Sequence, residues 1–520
     1  MINLEYKYGY EWYQKNDIWV KGYFFDENAI YYKNEKLLEY FEGVNTYEEF
    51  KIKLQSANGL FSVVIKIGNS HLISVDKLRT FPLFYYIHNN KLIISDNSFW
   101  IKDKYNLNIS EESQEEFKIA GYTTDNTTLI KDIFQIEASE AILFDNDANI
   151  KEKSFFYSYM TKDVFSCEYD KLSQDFLAIL DKSTKRLIKT LNNQTVVIPL
   201  SGGYDSRLVA ALLKKHNYEN VICFTYGNAD SFEVSISEKV AKSLGYEWHF
   251  IEYTEELIGN YTQNDDFVEY YKFAFNNTAC FLLQDYFAVR YLTDNKLIPK
   301  DSIIITGHSG DLLAGSQISS KIRYSSDEKK MKELIYEHTY KLAKVKNKKT
   351  YLNKINIDID SGYSYSIVDN YFINRKIARF IINSHRIYEF FGYEHRLPLW
   401  DDELTEFFRR VPYEYKQYPY LYEEVLLNTL FKDYNIDIIP QDKIRRDDKK
   451  AKIKSIIKQY TPSFVIKLRE KLIFEDINNI SFMTKPMEPI NDIEVDKNNI
   501  DAVIVNWIIQ EESKSSLCEK

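Results

Sequence analysis

The stretch Thr195-Val196-Val197-Ile198-Pro199-Leu200-Ser201-Gly202-Gly203-Tyr204-Asp205-Ser206 decides the fold. Its first half is a continuous apolar run, as expected of a strand buried on both faces. Its second half is a tight turn, and Arg207 to His216 has helical character. A strand that runs through glycines into a helix builds an anion cradle from backbone N–H groups and the helix N-terminus. Ser201 and Ser206 add hydroxyl donors. Asp205, read as buried, is placed to hold Mg²⁺ against phosphate oxygens. The turn lacks the Gly-Lys-Ser/Thr ending of a Walker loop and does not match a GxGxxG fingerprint.

Outward from this stretch, strands and helices alternate. A helix is expected over Tyr169 to Leu191, where Leu172, Phe176, Leu180 and Leu187 share one face. Asn220 to Tyr226 reads as a buried strand and Ser235 to Leu244 as a helix stopped by Gly245. Trp248 to Glu252 and Ile303 to Thr306 read as further strands. This alternation means a parallel α/β sheet. Residues 365–432 read as mostly helical. Residues 1 to about 150 have a different texture. Leu60–Ile67, His71–Val75, Pro82–Ile87 and Lys91–Ser95 are short β-rich runs between turn residues, which implies antiparallel meanders. A short helix at 115–121 and a hairpin around Asp145-Asn146-Asp147 continue that part.

Composition narrows the class. Of 520 residues only 16 are glycine, where the usual share gives about 36. Hydrophobic content of 44% and charged content of 28% are those of a globular chain, so collagen-like and disordered classes are excluded. Net charge is −10, which disfavours a broad nucleic-acid surface. The four cysteines, at 167, 223, 280 and 518, form no CxxC pair, so neither a zinc site nor a disulfide framework is expected. No signal pattern or membrane-length apolar run is visible. The chain therefore reads as soluble and cytoplasmic, with no membrane or nucleic-acid partner. The basic runs 341–354 and 443–458 taken alone read as solvated helix faces.

The SGGxDS turn resembles that of the PP-loop ATP-pyrophosphatases, and further segments resemble the asparagine synthetase family. Ile305-Thr306-Gly307-His308-Ser309-Gly310-Asp311-Leu312-Leu313-Ala314-Gly315 is similar to the family's S-G-E-G-x-D-E-x-x-G-G, where the aspartate is a second magnesium carboxylate. Cys223-Phe224-Thr225-Tyr226-Gly227 is similar to the strand whose end meets adenine. Tyr393 to Asp401 resembles v-E-x-R-x-P-F-L-D, and Val411 to Lys416 continues the likeness. Pro440 to Lys450 resembles the segment that delivers a lysine to the α-phosphate; Lys449 fits best and Lys450 next. More weakly, Asn58 to Val64 and Asp76 to Tyr86 resemble N-G-x-F-A and D-x-x-G-x-x-P-L-Y-Y of an N-terminal-nucleophile glutaminase domain.

The resemblance implies two folded parts: an antiparallel β-sandwich of Ntn-hydrolase type at 1–160, and a parallel PP-loop α/β domain with helical additions at 170–455. Residues 456–520 would form a helical extension, with a helix at Phe464 to Phe474. It implies ATP and Mg²⁺ as cofactors. ATP would be bound by Leu200, Ser201, Gly202, Gly203, Asp205, Ser206, Tyr226, Thr306 and Gly307. The metal would lie at Asp205 and Asp311, with Lys449 and His308 catalytic. The implied activity joins a small carboxylate to ammonia or an amine through an acyl-adenylate, releasing AMP and pyrophosphate. The carboxylate would be aspartate or a uronic acid of a surface polysaccharide, and a homo-oligomer is compatible.

Three departures matter. The family's glutaminase needs cysteine at position two, and this chain reads Met1-Ile2-Asn3, so glutamine hydrolysis is expected to be absent. His308 replaces the glutamate of S-G-E-G and is either a general base or a pocket lining. Leu312 removes a carboxylate. An intramolecular cyclase like the β-lactam synthetases or lasso-peptide cyclases is therefore a second expectation. A scaffold without activity is a third, and an RNA-modifying PP-loop enzyme the most remote.

Overall fold

The computed structural model describes residues 1–318, 322, 326–440, 479–487, 495–496 and 499–518. Two antiparallel systems form the N-terminal part. The larger sheet runs in the order Ile150–Phe155, Glu140–Phe144, Ser70–Val75, Asn58–Ile67, Ile18–Phe25, Trp12–Lys15, with Tyr31–Lys33 also paired to Ile18–Phe25. The smaller sheet runs Ile2–Asn3, Lys91–Ser95, Phe84–His88, Phe134–Gln135, its first pair parallel and the others antiparallel. Side chains alternating from both sheets (Val64, Ile73 and Ile142 with Leu83, Tyr85 and Ile94) fill one apolar layer between them. The helices Lys36–Phe41 and Tyr47–Ser56 were not legible among the short runs; the second starts at a Thr46–Glu49 capping box.

The C-terminal part is built on five parallel strands in the order Glu247–Glu252, Val221–Gly227, Val196–Pro199, Ile303–Ile305, Glu394–Arg396. Chain order runs outward from Val196–Pro199 on one side, then returns to start the other side at Ile303–Ile305. The strand order thus reverses between these two neighbours, and in such sheets ligands bind beyond the strand ends at the reversal. Val196, Val197, Ile198 and Ile303 to Ile305 are wholly buried, so the apolar runs form the sheet's interior. Five elements differ from the sequence reading. Tyr204–Lys215 starts three residues before Arg207, Glu394–Arg396 is a fifth strand, and helices Glu255–Thr262, Asp265–Phe275 and Tyr286–Asp294 fill the span before Ile303. Gly245 does stop its helix, in the left-handed region at φ +72°.

The helix Tyr169–Lys189 buries Leu172, Phe176, Leu180 and Leu187. Each such side chain contributes about 1.5–3 kcal/mol on leaving water. That face joins a core cluster that also holds Tyr10, Leu60, Leu78 and Phe81 of the antiparallel part, so the two parts share a core. Polar contacts fix the same seam. Tyr10 donates to the His395 carbonyl at 2.6 Å and Arg396 donates to Tyr10 at 2.8 Å. Asp401 accepts both arms of Arg186 (2.8 and 2.6 Å) and the amide of Asn58 at 3.1 Å. Among the described residues no helix is long and apolar enough to cross a membrane. The expected helix at Phe464 to Phe474 and the basic run 443–458 lie outside the described residues. The described helices of the last part are Ile480–Thr484, the 3-10 turn Lys485–Met487 and Ile500–Cys518.

Candidate active site

A cavity of about 340 Å³ opens at the strand-order reversal. Its wall takes Leu200, Ser201, Asp205 and Ser206 from the first loop, Tyr226 from the neighbouring strand, and Thr306, Gly307 and His308 from the second loop. Gly202 and Gly203 form the turn without lining the cavity. Asp311 stands beside the wall, exposed, at the start of the short helix Gly310–Leu313. Lys449 and its alternative Lys450 lie outside the described residues.

The first loop is held by its own hydroxyls. Ser201 N–H donates to Ser206 Oγ at 3.1 Å, and Gly203 N–H donates to Ser201 Oγ at 3.2 Å. Neither glycine is needed for a positive φ, since Gly203 sits at φ −75°. Glycine is needed for close approach between the loops. A Cβ on Gly307 would stand 2.4 Å from the Asp205 carbonyl carbon and the Ser206 nitrogen. On Gly310 it would stand 3.1 Å from Asp205 Cγ. Two neighbouring strand ends thus press their loops together around one aspartate.

Asp205 is half-buried rather than buried, because its carboxylate faces the cavity mouth. One oxygen accepts from the Asp311 N–H at 2.9 Å and the other from the Tyr422 hydroxyl at 2.8 Å. These donors fix the carboxylate's orientation. Asp311 is the next carboxylate along the second loop. Two carboxylates at adjacent strand ends suit a hard cation that takes its remaining oxygens from phosphate. Among the described residues no group of three or more His, Cys, Asp or Glu side chains is arranged to hold a metal alone.

His308 lies in the wall with its Nε2 buried and unpaired. Its ring meets His385 edge-on at 4.6 Å. Burial, reinforced by His385, holds its pKa well below the usual histidine value, so it is neutral at pH 7. His385 is bonded on both nitrogens, to Thr306 Oγ1 at 2.8 Å and Ser384 Oγ at 3.2 Å, and burial pushes it down to about 3.

Five side chains of this wall were not singled out as site residues in the sequence. Glu233 sits in the first turn of Phe232–Leu244, whose N-cap is Ser231. Ser384, His385 and Tyr388 come from a stretch with no motif, and Asp285 from an uncalled helix start. Burial raises the Asp285 pKa, and the hydroxyls of Tyr226 and Tyr388 offset part of that. The Tyr226 ring stacks on Tyr253 at 4.9 Å. The wall therefore carries three carboxylates (Asp205, Glu233 and Asp285) and, among the described residues, no lysine or arginine. A polyphosphate enters such a site only together with cations.

Residues 176–356 match the family model for asparagine synthase. No curated protein matches. Among solved structures the chain is similar to an NH3-dependent NAD synthetase from Campylobacter jejuni subsp. jejuni NCTC 11168, in complex with the nitrate ion. Identity is 22% over 29% of this chain and 61% of that chain, with a TM-score of 0.19. It is similar to an allosteric regulatory enzyme of purine biosynthesis, with 10% identity over 46% of this chain and 62% of the other, at 0.20. The third is a glutamine phosphoribosylpyrophosphate amidotransferase from B. subtilis complexed with ADP and GMP. It shows 8% identity over 57% of this chain and 63% of that one, at 0.19. The chain spans about three fifths of the length of each of these structures.

Proposed function

The chain carries an asparagine synthase domain, and from that premise we propose that it is an ATP-dependent amide ligase forming AMP and pyrophosphate. One observation carries the reading. The loops 201–206 and 307–311 are locked around Asp205 where the strand order of a parallel sheet reverses. In the proposal the loop 201–206 receives the triphosphate of ATP, and the Tyr226 strand end and Thr306 bound the rest of the nucleotide. Asp205 and Asp311 hold Mg²⁺, which when bound neutralises phosphate charge as pyrophosphate departs. Tyr422 keeps the Asp205 carboxylate turned toward that position. Lys449 is proposed to counter the charge that develops at the α-phosphate.

A substrate carboxylate attacks the α-phosphorus, and the P–O bond to pyrophosphate breaks. A nitrogen nucleophile then displaces AMP from the acyl carbon. His308, a residue of the cavity wall that burial keeps neutral, is assigned the proton the amine gives up. The low pKa makes it a weak base whose role is limited to the moment of transfer.

The antiparallel part serves as a structural partner in this reading. Residues 1–166 contain no cysteine. Cys223 and Cys280 are buried in the second part, with their thiol pKa values pushed up by burial. In this reading nitrogen comes from free ammonia, from another subunit or from an amine already on a substrate, and an intramolecular amide-forming cyclase is the second form of the same proposal. ATP–pyrophosphate exchange over a panel of carboxylates, with and without ammonia and glutamine, tests it. Exchange with one acid, no stimulation by glutamine, and loss in Asp205→Ala are expected. Exchange that survives in Asp205→Ala would overturn the metal assignment.

A further inference from the structure

A second cavity, of about 360 Å³, opens at the seam of the two parts. Its size is that of small-molecule sites, and it shares no wall residue with the cavity at the strand-order reversal. The first part supplies Glu137, Ala138, Phe155 and Tyr157. The second part supplies Asn356 and one face of the helix Ser364–Phe372, where Ile367, Asn370 and Tyr371 fall at helical spacing. The helix continues as the π-helical turn Ile373–Ile377, whose Asn374 and Arg375 also reach the wall. Such wide turns are rare, and they concentrate at functional sites.

The charges around this cavity cancel. Arg375 pairs with Glu137 and, at 3.1 Å, with Asp125. Arg379, outside the wall, pairs with Glu137 at 3.0 Å. Two guanidinium groups thus meet two carboxylates. The other carboxylate of the wall, Asp358, is exposed at the rim and accepts from the Asp360 N–H at 3.0 Å. Among the described wall residues no cation is left over for an anionic ligand, and no buried carboxylate for a cationic one.

The groups that remain available are amides. Asn356 and Asn374 make no side-chain hydrogen bond among the described residues. Asn370 Oδ1 accepts from the Tyr159 N–H at 2.8 Å, which leaves its NH₂ group free. Asn356 and Asn374 each offer both donors and an acceptor. Beside them stand two aromatic rings, Tyr157 and Phe155, the latter 50% exposed. A ligand matched to this wall is uncharged, carries groups that donate and accept, and has an apolar face for a ring.

We propose that the second cavity binds a neutral saccharide unit. Its hydroxyls bond with Asn356, Asn370 and Asn374, and a C–H face of the sugar ring packs on the aromatic side formed by Phe155 and Tyr157. Binding here does not depend on the ligase reading, since no nucleotide and no residue of the other cavity takes part.

The test is saturation-transfer NMR on the full chain without nucleotide, at millimolar ligand. The neutral probes are methyl glucoside, methyl galactoside, N-acetylglucosamine and maltose. Glucuronate is the anionic arm, protonated glucosamine the cationic arm, and N-acetylglycinamide a neutral amide that is not a sugar. Saturation transfer to at least one neutral saccharide is expected, with the other arms weaker. Asn374→Leu changes a half-buried position with no side-chain hydrogen bond to lose. It is expected to keep the parent's thermal midpoint and to weaken saccharide binding about tenfold. Phe155→Ala, at an exposed position, should weaken it as well. Transfer to none of the four saccharides, parental binding in both variants, or a preference for glucuronate, glucosamine or N-acetylglycinamide would overturn the proposal.

Discussion

Replacing Gly307 by alanine tests whether the contact between the two loops sets the site. The new Cβ would lie 2.4 Å from the Asp205 carbonyl carbon, 2.4 Å from the Ser206 nitrogen and 2.7 Å from Asp205 Cβ. Ordinary carbon contacts begin at about 3.5 Å, so the loops must part by about 1 Å. Two of the three atoms are backbone, and no rotamer change relieves them. Parting moves Asp205 relative to Asp311 and opens the 2.9 Å hydrogen bond between them. Misplacing reacting groups by about 1 Å costs on the order of 10²-fold in rate. Gly310→Ala meets the movable Leu399 Cδ1 at 2.5 Å and Asp205 Cγ at only 3.1 Å, so a smaller loss of about tenfold is expected. The assay is ATP–pyrophosphate exchange with the carboxylate that supports it, alongside thermal unfolding to confirm a folded chain. A folded Gly307→Ala that exchanges within about threefold of the parent would refute the loop contact as the determinant of the site.

Other outcomes follow from the same geometry. Tyr422→Phe removes the 2.8 Å hydrogen bond to Asp205, and a bond to a charged group is worth about 1.5–3 kcal/mol. The Mg²⁺ concentration for half-maximal exchange should rise by about ten- to a hundredfold; an unchanged Mg²⁺ dependence would dismiss the orienting role. His385, with its pKa lowered to about 3 by burial, is neutral in the folded chain but takes up a proton on unfolding below pH 6.5. Its stabilisation is therefore full above pH 6.5 and is lost toward acid at about 1.4 kcal/mol per pH unit. In urea titrations the stability gap between parent and His385→Gln should narrow as pH falls from 6.5 to 4.5, and a constant gap would contradict it. Arg186→Leu unpairs Asp401 and should cost about 2–3 kcal/mol of stability, read in the same titrations.

Local chemistry made the centre of the fold legible. Val196 to Ser206 is decided by an apolar run, two glycines and a helix, and Ile303 to Gly307 by the same signals. Parallel strands buried on both faces have few alternatives. The antiparallel part was legible from period-two runs, but Lys36–Phe41 was not, because a six-residue helix leaves little periodicity to read. Glu394–Arg396 is a three-residue strand with a buried histidine and arginine, so its sequence lacks an apolar strand pattern and only the partner Ile303–Ile305 defines it. The wall shows the same division. Ser201, Asp205, Gly307 and His308 stand in motifs. Asp285, Ser384, His385 and Tyr388 reach the cavity by tertiary packing, and each is an ordinary residue in an unremarkable stretch. The glycines of the motifs suggested approach to phosphate. The structure adds that Gly307 and Gly310 are required by approach to Asp205.

Identifying the nucleotide product by phosphorus NMR decides whether the chain adenylates its carboxylate. The full chain would be incubated with ATP, Mg²⁺, ammonia and the carboxylate that supports exchange. AMP and pyrophosphate are expected in equal amounts, matched by new amide, and none from Asp205→Ala. ADP with inorganic phosphate, or amide formed without AMP, would contradict it.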